Sequence, residues 1–199
     1  VGSEMCIRDR IAAAVDDVNT FSGTPTATLD DAHNLAQLKA INNKLSGTLT
    51  LHDYTVALSG SSSDVVAALD GTFASTYTGT ASVSDAHTLA QLKTINNGTT
   101  GQITLTDYSV ALVGSTADVK AALDGSFAAA YTGNVTLSDA NTVDITATDI
   151  TQIEGDTNGT ITVTNAIDIN GTAAEVAAAV DDVNTFSASA TATLSNAHT

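Results

Sequence analysis

Residues 32–43 read AHNLAQLKAINN, and residues 86–97, 54 positions later, read AHTLAQLKTINN. The same interval separates HDYTVALSGSSSDVVAALDGTFASTYTG, from His52, and TDYSVALVGSTADVKAALDGSFAAAYTG, from Thr106. A third, more diverged stretch runs from Asp139 to Asn196, an interval of 57 positions. AAAVDDVNTFS at Ala12–Ser22 returns unchanged at Ala177–Ser187, 165 positions on. The intervals 54, 54 and 57 total 165, so three units (about 31–84, 85–138 and 139–195) close a longer period. A unit this small cannot bury its own apolar face and is stabilised by stacking on neighbouring copies. Starting and stopping inside units, the chain is expected to be a fragment of a longer array.

Each unit divides again. Pairs of the form Ser/Thr/Asn-x-x-Asp/Glu/Gln occur at Asn34 and Gln37, Ser61 and Asp64, Thr88 and Gln91, Ser115 and Asp118, Thr146 and Asp149, and Thr172 and Glu175. The first side chain of such a pair accepts from backbone N–H groups that a helix start leaves unpaired, and the second reaches back. Successive spacings of 27, 27, 27, 31 and 26 predict one short helix in every coil. After the caps come apolar groups on one helical face: Leu89, Leu92 and Ile95; Val119, Ala122 and Leu123; Val176, Val180 and Val183. Gly71, Gly125, Gly98 and Gly155 stand where the chain is expected to leave each helix.

Between helices lie alternating segments: GTLTLHD, TASVSD, QITLTD, NVTLSD, TITVTN and TATLSN. Period two with β-branched residues predicts strands with Thr or Ser outward and Val, Ile or Leu inward. Alternate coils add a second strand, YTVALS (54–59) and YSVALV (108–113), after an Asp turn. The expected fold is α/β: an elongated solenoid of ~27-residue coils with parallel strand ladders and helices along one side. A string of small β-sandwiches is the rival, and the helix caps argue against it. The aromatic pairs Tyr54 and Tyr108, Phe73 and Phe127, Tyr77 and Tyr131, and Phe21 and Phe186 are read as packing groups.

The first ten residues, VGSEMCIRDR, stand apart, holding the chain's one Cys, its one Met and both arginines. They resemble the in-frame translation of a transposase sequencing adapter, so residues 1–10 are set aside as non-native. The remainder keeps Lys39, Lys44, Lys93 and Lys120 against 20 acidic residues (22 less Glu4 and Asp9), so its net charge stays −16. Such a chain repels nucleic acid and anionic membrane surfaces, because both require cationic neutralisation. It has no cysteine for a disulfide, a thiolate metal site or a nucleophile. No run of ~18 apolar residues predicts a membrane span, and no signal peptide is visible.

Candidates for chemistry are few. His33, His87 and His198 share one slot, which Asn141 fills in the third unit, and His52 gives way to Thr106. Histidines exchanged in this way read as turn residues. No G-x-S-x-G elbow, phosphate-binding loop or non-repeated acidic cluster is present, so no catalytic residue and no cofactor site is expected. The carboxylates are the exception. Asp31, Asp53, Asp85, Asp107 and Asp139, with Asn165 and Asn196, end the strands and would stack in one column. Like charges ~4.8 Å apart repel, so the column invites Ca2+. Asx-turns, each Asp bonding its own backbone two residues on, are the simpler reading, and metal residues are set at none. Four N-x-T sequons, from Asn97, Asn134, Asn158 and Asn170, are the chance yield of an Asn- and Thr-rich chain.

The repeats ITLTDYSVAL…STADVKAALDG, GNVTLSDANT and ITQIEGDTNGTITVT resemble the tandem β-strand repeats of giant extracellular bacterial proteins, cyanobacterial and proteobacterial adhesin-like molecules among them. The resemblance spans residues 11–199. It implies secretion, an extracellular or cell-surface location, and a structural or adhesive role as stalk or coat. The partners implied are neighbouring repeats of the same chain and cell-surface polysaccharide. A regular Thr face adsorbing polysaccharide or ice, and a calcium-stiffened stalk, are the alternatives.

Overall fold

The computed structural model describes residue 14 and residues 23–196, so the adapter-like segment, Phe21, His198 and Thr199 lie outside the described residues. Within them the fold is mixed α/β, and every strand pairing is parallel. The strands are β1 (Ala27–Thr28), β2 (Leu49–Thr50), β3 (Leu58–Gly60), β4 (Ala81–Val83), β5 (Ile103–Leu105), β6 (Leu112–Gly114), β7 (Val135–Leu137), β8 (Asp144–Thr146), β9 (Ile161–Val163), β10 (Asp168–Gly171), β11 (Thr185–Phe186) and β12 (Thr191–Leu194). The helices are α1 (Leu35–Asn42), α2 (Ser62–Leu69), α3 (Leu89–Gly98), α4 (Thr116–Leu123), α5 (Ala147–Asp156) and α6 (Ala173–Asp182).

The described residues divide into two compact units, one of 23–87, 94–106 and 125–128, the other of 88–93, 107–124 and 129–196. In the first, β1 pairs with β2, and β3, β4 and β5 form a sheet in that order. Leu58 is opposite Ala81 and Ala81 opposite Ile103, so partners stand 23 and 22 positions apart. In the second, β6, β7, β9 and β11 form one sheet and β8, β10 and β12 another. There Leu112 faces Val135 and Val135 faces Ile161, at separations of 23 and 26. A helix or loop therefore occupies nearly every crossover, as parallel pairing demands.

Alternation translates directly into burial. In β4, β5, β7 and β9 the outer two residues are buried and the middle Ser or Thr is not. Helices add Leu38, Ile41, Val65, Val119, Ile150 and Ile153, each 1% exposed or less. Side chains buried to that extent contribute about 1.5–3 kcal/mol apiece, which holds helices of eight to ten residues that would be marginal alone.

Several local expectations are corrected. The strand predicted from Tyr54 begins only at Leu58. Asp53 Oδ1 accepts from the Thr55 N–H at 2.8 Å and the Thr55 hydroxyl at 2.7 Å, and that turn keeps the chain from extending. Asp107 and Ser109 repeat the geometry at 2.7 and 2.6 Å. In α6 the buried face carries Val176 and Ala179, while Val180 is 47% exposed. In β12 all four residues are exposed, and this strand is paired on one side only, with β10.

The glycines after α2 and α4 do not turn the chain by a left-handed conformation, which among the described glycines only Gly23 adopts. A Cβ at Gly71 would collide with the Asn42 side-chain amide, and one at Gly125 with that of Asn96. These glycines admit a neighbouring asparagine. Gly155 ends nothing, since α5 runs through it to Asp156.

Candidate functional site

Five of the six predicted caps form. Asn34, Thr88 and Thr172 make the full reciprocal box with Gln37, Gln91 and Glu175. Ser61 and Ser115 accept from the backbone of Asp64 and Asp118. Thr146 makes no such bond. It is the last residue of β8 as well as the residue before α5, and its strand pairing with Asn170 constrains it.

The strand-end acids do not behave as one column of like groups. Asp53 and Asp107 make the Asx-turns described above. Asp85, Asp139 and Asn196 instead reach back to the first turn of a helix, 23 positions earlier in each case. The Ser62 N–H donates to Asp85 Oδ1 at 2.6 Å, and the Ala173 N–H donates to Asn196 Oδ1 at 2.9 Å. The Thr116 N–H and hydroxyl donate to the Asp139 carboxylate at 3.0 and 2.6 Å. Each of these helices thus has its third N–H served by its own cap and its first by the end of a later strand. A carboxylate is at home there, beside the positive end of the helix dipole. Asn165 donates from Nδ2 to the Asp139 carbonyl at 2.7 Å, and Asp31 lies half-buried two residues after Leu29. Asp53, Asp85, Asp107 and Asp139 are thus each engaged in a local hydrogen bond. Among the described residues no group of three or more His, Cys, Asp and Glu side chains is placed to hold a metal ion.

Sequence reasoning missed the lysines. Lys39 of α1 bonds Asp64, the third residue of α2; Lys93 bonds Asp118 of α4 at 2.5 Å; Lys120 bonds Asp149 of α5 at 2.5 Å. The lysine holds Asp64 and Asp118 below the ordinary carboxylate range; for Asp149, burial is the largest single influence and raises the carboxyl, but the Lys120 bond, the Thr146 bond and the Lys120 charge together leave it lowered. The signal was present as a Lys followed 25 positions later by the cap-box Asp, at Lys39 and again at Lys93.

The histidine reading also changes. His33 and His87 are buried, at 6% and 4% exposure, whereas His52 is exposed. His33 Nε2 lies 2.9 Å from Tyr77 Oη, and that hydroxyl donates to the Val56 carbonyl at 2.7 Å. The phenol proton is therefore committed, and His33 donates from Nε2 as a neutral ring. Burial holds its pKa below the ordinary histidine value, with the Asp53 charge pulling weakly the other way.

Tyr77 and Tyr131 are 2% and 1% exposed, and burial pushes both phenols up. Tyr131 repeats the hydroxyl bond, to the Val110 carbonyl at 2.6 Å. Buried Thr99 donates to the Gly79 carbonyl at 2.7 Å and accepts from the Gly101 N–H at 3.0 Å. Thr157 does the same with Gly133 and Gly159, both at 3.0 Å.

Two kinds of surface remain. On the outward side of the sheets, register aligns Ser59, Ser82 and Thr104 in the first unit, and Val113, Thr136, Thr162 and Thr185 in the second. In the first unit, a groove of about 590 Å3 opens between the C-terminal ends of α2 and α3, with Asp70, Phe73 and Asn97 in its wall. Among the described residues no helix is long and apolar enough to cross a membrane. No family model, curated protein or solved structure matches the chain.

Proposed function

We propose that this chain is a non-catalytic structural segment of a large secreted or cell-surface bacterial protein. In this reading it is a stalk or coat, built as a solenoid whose partners are neighbouring copies of its own coils. The observation that carries the reading is the recurrence of one tie. Lys39 to Asp64 and Lys93 to Asp118 join a helix to a later one at the same offset of 25 positions. Parallel partners 22 to 26 positions apart support coils of that size. Many of the polar side chains that a site could use are engaged in caps, turns and ties. Inserted between a surface anchor and a fluorescent label, one, two and three copies of the chain should raise the label in proportion to copy number. A height independent of copy number would contradict the stalk.

A second reading is adsorption of a repetitive target such as ice along the hydroxyl rows. The alignment of Ser59, Ser82 and Thr104 favours it, while Val113, 60% exposed, interrupts the corresponding row of the second unit. Inhibition of ice recrystallisation, lost on Thr104→Leu, would support it over a passive stalk.

A further inference from the structure

We propose that the groove between the C-terminal ends of α2 and α3 binds a neutral oligosaccharide. Its volume of about 590 Å3 lies in the range of small-molecule sites. The lining residues include Asp70, Asn97, Ser75, Thr76, Thr94 and Phe73, which between them carry a carboxylate, an amide, three hydroxyls and an aromatic ring. That set offers acceptors and donors side by side, which is what vicinal sugar hydroxyls require. Phe73 is half-buried and tilted 40° against Tyr77, with ring centroids 5.7 Å apart. Tyr77 backs the wall and uses its own hydroxyl on Val56. Phe73 is left as the apolar plane against which the C–H face of a pyranose packs.

Charge selects among ligands. The groove lining contains no Lys, Arg or His, and its one charged group is Asp70. Phosphate, sulfate and uronate are therefore disfavoured, since nothing neutralises them.

A comparison within the chain supplies an independent argument. Asp70, Gly71, Phe73 and Tyr77 recur 54 positions later as Asp124, Gly125, Phe127 and Tyr131. Ser75 and Thr76 become Ala129 and Ala130 there, and Thr94 is Ala40 in the preceding copy. Alanine thus stands at the equivalent places of the same framework, so these three hydroxyls add polar reach that the framework does not require. The inference is independent of the stalk reading, because a stalk can carry such a site or lack one.

The test is titration of the 15N-labelled chain with chitohexaose, cellopentaose and maltohexaose, with polygalacturonate as the acidic control. At least one neutral oligosaccharide should move the amide signals of residues 70–76 and 94–100 saturably at millimolar concentration. The triple variant Ser75→Ala, Thr76→Ala, Thr94→Ala, which carries residues already found in the copies, should keep its spectrum elsewhere and its melting temperature. Its affinity should fall at least about tenfold, as expected for three lost hydrogen bonds. Thr104→Ala, on the sheet face, should bind as the parent does. Three results would each overturn the proposal: no response to any neutral sugar, undiminished binding by the triple variant, or preference for polygalacturonate.

Discussion

His33, Tyr77 and the Val56 carbonyl form a chain of donors with one direction. Phenylalanine at position 77 would leave the Val56 oxygen and the His33 N–H buried without their partner. Tyr77→Phe should cost about 1–3 kcal/mol in urea unfolding, and a change under about 0.5 kcal/mol would contradict the network. The pH dependence has a definite sign. The folded pKa of His33 is lowered, so between that value and the unfolded 6.5 the unfolded chain binds the extra proton. The stabilisation is complete above pH 6.5 and declines as pH falls toward the folded pKa. Imidazole NMR should show His33 still neutral at pH values where a histidine of ordinary pKa has protonated. Asp156 behaves oppositely. Burial first, then the nearby Asp124 charge, raises its carboxyl, with Lys120 offsetting part, and Oδ2 has no partner. A raised carboxyl contributes stability at low pH that is lost as pH rises through the folded value. Asp156→Asn should therefore raise the melting temperature by about 2 °C at pH 7 and leave it unchanged near pH 3. A drop at pH 7 would refute this.

At the scale of helices and strands, what could be read in the sequence was whatever depends on neighbours in sequence. Caps such as Ser61 with Asp64 and alternation such as Ile103-Thr104-Leu105 involve residues at most three apart, so pattern suffices. What escaped joins positions 23 to 29 apart. The Asp85 bond to Ser62, the Lys39 tie to Asp64 and the fit of Asn42 against Gly71 exist only once the parallel strands are in register. The histidine slot was legible only in part: exchange with Asn141 suggested a turn residue, and His33 does lie outside helix and strand, but its burial against Tyr77 could not be read from that exchange. The groove could be glimpsed only as Ser75 and Thr76 departing from Ala129 and Ala130. Two predictions belong here. Asp85→Asn should be nearly neutral, since Asn196 already serves Ala173, while Asp85→Ala should cost about 1 kcal/mol by thermal melting. Equal losses for both would remove the helix-start role. A double-mutant cycle on Lys93 and Asp118, both partly exposed, should give a coupling of about 0.2–1 kcal/mol that salt weakens.

For the whole molecule, the strand-end acids decide between a passive and a calcium-stiffened array. Because Asp85 and Asp139 are bonded to helix starts and Asp53 and Asp107 to their own turns, sodium should stabilise the fold almost as well as calcium at matched ionic strength. Melting with calcium and with chelator should then agree within a few degrees. A calcium-specific rise above about 10 °C, abolished by Asp85→Asn with Asp107→Asn, would reverse that conclusion. The proposed open-ended stacking of successive coils is tested most directly by small-angle scattering from chains carrying one, two and three copies of residues 31–195. Stacking predicts that the maximum dimension grows by a constant step per copy, about six strand spacings of ~4.8 Å or more, at unchanged cross-section. A radius of gyration that instead rises with only about the 0.38 power of chain length, as in compact globular domains, would contradict it.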